Sequence, residues 1–291
     1  MLAVLASSYL VAGALQQAVE PRPVPPLTIK DIGRGDIAID GDWQFHLGDD
    51  MHWIDPAYDD SQWEHIRADK TWGEQTHPGY AGFAWYRRHV DIAPSTSGSQ
   101  KLAILMPPVD SAYEIYWNGE KIGHQGVLPP GAVWYYSHRE SFALPLSLSG
   151  AEQGLLAVRA WRAPPNSTSL DTTGGLSAPP LIGDAGVIAA KVGQADFLRL
   201  NASLFGRALS FFFLLIGTVS FFAWVRDHEK KLYLWFAIWL LAEVAYFYLH
   251  STHMIEWISY PILSGCRTLV FSIGDCSLFL LLLYLFNLQD N

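Results

Sequence analysis

The sequence predicts an all-β ectodomain of the jelly-roll or β-sandwich class followed by an α-helical transmembrane region. Three observations carry that reading. Residues 208–225, 232–249 and 268–286 are apolar runs of 18–19 residues, long enough at about 1.5 Å per residue to cross a hydrocarbon layer of about 30 Å. Between 36 and 192, short alternating stretches are punctuated by Gly, Pro, Asn and Asp, and no long segment of helical period interrupts them. Asn118 and Gly119 separate YEIYW from EKIGHQ, a strong hairpin signal because such a turn needs two residues of positive φ.

The elements follow in order. The apolar stretch 2–15, ending on the small residues Ala12, Gly13 and Ala14, resembles the core and cleavage region of a secretory signal, so 1–19 reads as a signal-like segment that lacks the usual preceding basic residue. Residues 20–35 form a linker whose start, EPRPVPPL, is too rich in proline to be helical. The sandwich occupies 36–192, with strands expected at GDWQFHL (41–47), FAWYRRHVDI (83–92), KLAILM (101–106), AYEIYW (112–117), ESFALPL (140–146), LLAVRAW (155–161) and GVIAAKV (186–192). A second linker spans 193–203, and 204–291 hold three membrane helices.

Charge sets orientation and excludes some partners. Up to residue 200, 14 Lys and Arg face 22 Asp and Glu, without a basic run; such a surface suits neither nucleic acid nor anionic lipid headgroups. The connector RDHEKK (226–231) carries Arg226, Lys230 and Lys231, whereas 250–267 carries only Arg267. Basic connectors stay on the cytoplasmic side, which puts the β domain outside. The only cysteines, Cys266 and Cys276, lie in or beside the last span, so no disulfide can staple the sandwich. Eight tryptophans between Trp43 and Trp161 supply apolar area instead.

DGDWQF (40–45), YDDSQWEHI (58–66), GFAWYRRHV (82–90), YEIYWNGEKIGHQG (113–126) and LLAVRAW (155–161) together resemble the sugar-binding jelly roll of family-two glycoside hydrolases. GGLSAPPLIGDAGV (174–187) matches that family's last segment only loosely. The resemblance implies a galactose-binding-like sandwich over about 36–192. A β domain followed by hydrophobic spans, a basic inner connector and Leu232, Tyr233, Leu234 and Trp235 at the start of the second span resembles bacterial seven-transmembrane receptors with diverse intracellular signalling modules. Only three spans are present, so the chain reads as a fragment of such a receptor.

No catalytic residue is expected. The acidic pairs Asp49-Asp50 and Asp59-Asp60 sit in turn-like contexts, where carboxylates cap backbone groups, and the resembling hydrolases keep their catalytic pair in a separate barrel. No metal or other cofactor is expected, because the histidines are scattered singly and no alternating-acid loop occurs. Alternation sends Trp85 and Arg87 to one face and Tyr86 and Arg88 to the other, a structural pattern. The candidate ligand-binding residues are the loop aromatics Trp72, Trp134, Tyr135 and Tyr136, in Gly- and Pro-rich connections. Arg207, Glu243 and Asp275 form a candidate intramembrane charge cluster, since the two acids fall about 9–10 Å below the outer end of their spans.

The expected function is therefore the extracytoplasmic sensor portion of a bacterial signal-transduction receptor, multi-pass in the inner membrane and without enzymatic activity. Its partners would be a carbohydrate-like small molecule or a periplasmic protein, and the bilayer; a homodimer is compatible with the layout. The alternative is a membrane-tethered carbohydrate-active enzyme or its accessory carbohydrate-binding module.

Overall fold

The computed structural model describes residues 24–30, 32–93, 101–135, 137–145, 152–164, 174–202, 204–250 and 258–287. The signal-like segment lies outside the described residues. Among the described residues eleven strands precede the α-helices: β1 (Leu27–Ile29), β2 (Asp36–Ala38), β3 (Asp42–Leu47), β4 (Glu64–Arg67), β5 (Gly82–Ile92), β6 (Leu102–Met106), β7 (Ala112–Trp117), β8 (Glu120–Gln125), β9 (Glu140–Ala143), β10 (Glu152–Arg162) and β11 (Leu181–Asp184). The larger sheet runs β4-β3-β5-β10-β7-β8, with β1 parallel to β5; the smaller runs β2-β11-β6-β9.

Period-two alternation explains why the two sheets close on each other. Tyr113, Ile115 and Trp117 of β7 and Leu156, Val158 and Ala160 of β10 point one way, and meet Leu102, Ile104 and Met106 of β6 and Ile182 of β11 in one core. The opposite face of the larger sheet has a smaller cluster, in which Trp53 and Trp63 cover Trp85, Tyr116, Leu155 and Ala157. Trp43, Trp63, Trp85 and Trp161, each in a strand or in one of the motifs, are all buried. The expected hairpin forms between β7 and β8, with Asn118 at φ +48° and Gly119 at φ +83°. A bulge between Ile115 and Tyr116 shifts its register.

One expected strand is a helix. Residues 186–192 belong to α1 (Ala185–Ala202). Asp184 ends β11 and its carboxylate accepts from the backbone N–H groups of Gly186 (2.9 Å) and Val187 (3.3 Å), the N-cap geometry that starts a helix. Ile188 is then buried against Ala103 and Leu105 on the outer face of β6. Helix α2 (Leu204–Arg226), α3 (Lys231–Leu249) and α4 (Tyr260–Asn287) follow. Among the described residues three helical runs are long and apolar enough to cross a membrane, which makes this a multi-pass membrane protein in general form. Helix α3 is the middle layer: Gly217 of α2 lies against Leu240 and Leu241, and Gly274 of α4 against Ala242 and Trp239.

Candidate functional site

The charged residues of the sandwich motifs are brought together and bonded to one another. Arg87 is buried; its Nε donates to Asp60 Oδ2 at 2.6 Å, its Nη1 to the carbonyls of Trp53 and Asp55, and its Nη2 to the Tyr58 carbonyl at 3.2 Å. The guanidinium also sits over the Tyr58 and Trp63 rings. Burial raises the Asp60 carboxyl, but hydrogen bonds from His89 and Arg87 outweigh it and hold the group below its ordinary range. On the same face Arg159 donates to Asp49 at 2.7 and 2.5 Å and to Glu114 at 3.0 Å. Lys121 and Tyr116 also donate to Glu114, at 2.5 and 2.7 Å. Burial again acts upward, and the three donors together bring Glu114 down to about 2. At the hairpin, Asn118 Oδ1 accepts from Leu155 N at 2.7 Å. These side chains build the frame, and their hydrogen-bonding capacity is used within it.

The loop aromatics are placed differently from one another. Trp72 is fully buried in the main core, its indole N–H donating to the Tyr86 hydroxyl at 2.6 Å. Gly174 and Gly175, at φ +112° and +71°, cross over its ring where any side chain would overlap it. Trp134 and Tyr135 are half-buried in the connection after β8. That connection is closed by paired hydrogen bonds between Val127 and Val133, at 2.7 and 3.0 Å. Trp134 packs edge-on against Trp161, and its carbonyl accepts from the Tyr260 N–H at 2.8 Å, tying the loop to the first turn of α4. Tyr136 lies outside the described residues.

On the inner face of the β7–β8 pair lies a polar group that no sequence motif marks. Tyr113 and Gln125 face each other across β7 and β8, and His138 and Glu140 lie at the adjoining end of β9. Gln125 Nε2 is 3.2 Å from His138 Nδ1. Tyr113 Oη and Gln125 Oε1 are buried without a hydrogen-bond partner. The signal that would have found them is the register of the hairpin, which the bulge conceals.

In the helical region, Arg267 donates to the Leu249 carbonyl at 3.2 and 3.1 Å, and Gly274 packs on Ala242, so antiparallel α3 and α4 bring Glu243 and Asp275 to within one turn of the same level. Each acid is one residue past a contact residue. In an antiparallel pair that step, about 100° on each helix, turns both side chains to the same flank. Arg207 follows Gly206, which meets Phe247, and so lies toward Tyr248; five residues, or about 140° around α3, separate Tyr248 from Glu243. Arg207 and Asp275 are exposed and Glu243 is half-buried.

No family model matches the chain. No curated protein matches it either. Solved structures do resemble the sandwich. A Bacteroides uniformis β-glucuronidase is 24% identical with a TM-score of 0.41, over 52% of this chain and 18% of that one. A glycosyl hydrolase family 2 member from Bacteroides cellulosilyticus is 19% identical with a TM-score of 0.41, over 51% and 20%. A Faecalibacterium prausnitzii β-glucuronidase is 15% identical with a TM-score of 0.39, over 50% and 31%. The chain thus spans about a fifth to a third of the length of these enzymes. They are glycoside hydrolases. On that finding the expectation of a receptor in signal transduction with no enzymatic role is corrected: the layout of spans on which it rests reports membrane attachment, not chemistry. Among the described residues the helical region comprises three apolar helices, and a seven-span receptor fold is not shown.

Proposed function

We propose that this chain supplies the carbohydrate-binding sandwich and the membrane tether of a membrane-attached carbohydrate-active enzyme. The observation that carries the reading is how the motifs meet. Asp60 of the DDSQW segment bonds Arg87 of the WYRR strand, Asn118 of the NG turn bonds the backbone of the LLAVRAW strand, and Arg159 of that strand bonds Asp49 and Glu114. Segments up to 110 residues apart in sequence therefore form one frame, as the resemblance to the family-two sugar-binding jelly roll implies. Arg226, Lys230 and Lys231 in the α2–α3 connection favour a cytoplasmic placement of that connection, with the sandwich outside the inner membrane. A sandwich fixed to three spans would hold a polysaccharide end at the surface, raising its effective concentration for the chemistry carried out beside it.

The test is a glycan panel against the full chain in nanodiscs, read as thermal stabilisation. A glycan present at about 100 times its Kd should stabilise the fold by about 2.7 kcal/mol. A panel covering neutral, acidic and amino sugars in which nothing raises the melting temperature would overturn the reading.

A further inference from the structure

The outward side of α4 holds a charged group that nothing in the described chain meets. Arg267 is fixed beside the outer end of α3 by its bonds to the Leu249 carbonyl, and Asp275 lies about 12 Å further along the helix. The carboxylate is therefore well inside the span, and it is exposed. It opens into a groove of about 390 Å³ on the helix surface, whose other walls are Cys276, Phe279 and Leu280. Phe279 is 61% exposed, so the groove faces away from the α3–α4 contact. Glu243 of α3, half-buried, lies on the same flank within a turn of that level. Among the described residues neither acid has a hydrogen bond or an ion pair. Hydrocarbon offers no donor in place of water, so a carboxylate held at this depth is unfavourable until a polar group reaches it.

We propose that this flank docks a transmembrane helix of a separate protein, and that the helix presents a lysine or arginine to Asp275. Charge complementarity sets the chemistry: two acids share the flank, and Arg207 lies on the other side of α3. The groove suits a basic side chain, whose hydrocarbon stem can lie against Phe279 and Leu280 while its head meets the carboxylate. Gly265, Thr268 and Ser272, exposed at spacings of three and four, lead along α4 to Asp275 and allow a second helix close approach. The Thr268 and Ser272 hydroxyls donate to the carbonyls of Ser264 and Thr268, one turn back, so they do not serve the acid. A second copy of this chain does not bring the missing charge. Arg207 is level with Tyr248, about 10 Å above Asp275, and Arg226 and Lys231 are about 15 Å or more below it. A copy inserted in the same orientation therefore has no cation at this depth. Nothing in this docking depends on what the sandwich binds.

The test places the full chain, carrying a donor fluorophore at its C-terminus, in phosphatidylcholine vesicles with synthetic leucine–alanine transmembrane peptides that carry an acceptor. One peptide has a single lysine at mid-span, a second has leucine there and a third has aspartate. Saturable energy transfer is expected with the lysine peptide, and at least tenfold weaker association with the other two. Asp275→Asn keeps the size of the side chain and removes its charge; it should weaken the lysine peptide at least tenfold, whereas Arg207→Gln should leave it unchanged. Equal binding of the lysine peptide to wild type and Asp275→Asn overturns the proposal. Equal binding of the lysine and leucine peptides by the wild type also overturns it, and needs no variant. Binding of the aspartate peptide as tight as that of the lysine peptide would assign the flank to carboxyl groups sharing a proton, and overturn it too. Energy transfer between donor- and acceptor-labelled copies of the chain that is lost in Asp275→Asn would give the flank to a second copy, with the same result.

Discussion

The Arg87 guanidinium is closed to water, and one carboxylate and three carbonyls accept from it. Replacing it with methionine keeps the bulk but leaves those carbonyls unpaired and Asp60 with His89 alone, which should cost about 3–5 kcal/mol. Thermal unfolding of the full chain, followed by tryptophan fluorescence, measures it; a loss below about 1 kcal/mol would mean that water replaces the guanidinium. Glu114 offers a second test, through pH. Its carboxyl is held at about 2 by Lys121, Tyr116 and Arg159 against the effect of burial, whereas an unfolded glutamate titrates near 4.3. The folded state therefore gains stability from the ionised form at all pH values above the unfolded pKa, and loses it as pH falls from about 4.3 toward 2. Glu114→Gln should be less stable than wild type at pH 7, and the gap should close across that acid window. A gap independent of pH would assign the effect to packing.

At the scale of elements, the start of α1 rests on one side chain. Asp184 caps the N–H groups of Gly186 and Val187, so Asp184→Ala should cost about 1 kcal/mol and speed hydrogen exchange at residues 186–188 with little change in β11; unchanged exchange there would place the start of the helix under packing control. The same region shows what the sequence makes legible and what it does not. The β7–β8 hairpin is readable from Asn118 and Gly119, because the turn's backbone demand is local. GVIAAKV reads equally as strand or helix; the outcome depends on the Asp184 cap and on Ile188 finding Ala103 and Leu105, a contact distant in sequence. Trp72 sits in a loop-like stretch yet is buried, because Gly174 and Gly175, a hundred residues later, cross over its ring. The polar pair at the sheet edge is hidden for a third reason. Counting back from the turn without a bulge sets His124 opposite Tyr113, whereas the bulge at Ile115/Tyr116 sets Gln125 there. One extra residue exchanges an exposed side chain for a buried one.

For the molecule as a whole, the sandwich and the helices are two solutions to the same problem of placing charge. In the sandwich each buried arginine meets carboxylates or carbonyls within the chain. In the helical layer Glu243 and Asp275 share a level and a flank of the α3–α4 pair, and Arg207 sits on the other side of α3 and nearer the sandwich-facing end. A carboxylate in hydrocarbon costs several kcal/mol unless another polar group meets it. We therefore expect the two acids to meet that cost together, by sharing whatever polar group lies on their flank. Such sharing has a definite signature. Glu243→Gln and Asp275→Asn each remove a charge from that flank, and both variants should insert into membranes as well as wild type. If the two side chains share one environment, the stability changes of the single variants will not sum to that of the double variant, with a coupling of about 0.5 kcal/mol or more. A double-mutant cycle on the full chain in nanodiscs, read by thermal unfolding monitored through helical circular dichroism, provides the measurement. Adding Arg207→Gln to the cycle should leave the coupling unchanged, since the arginine lies on the opposite flank. Strict additivity between positions 243 and 275 would mean that each acid meets its own surroundings separately. Strong coupling of either acid to Arg207 would mean that the helices rotate in the membrane to bring that side chain across α3.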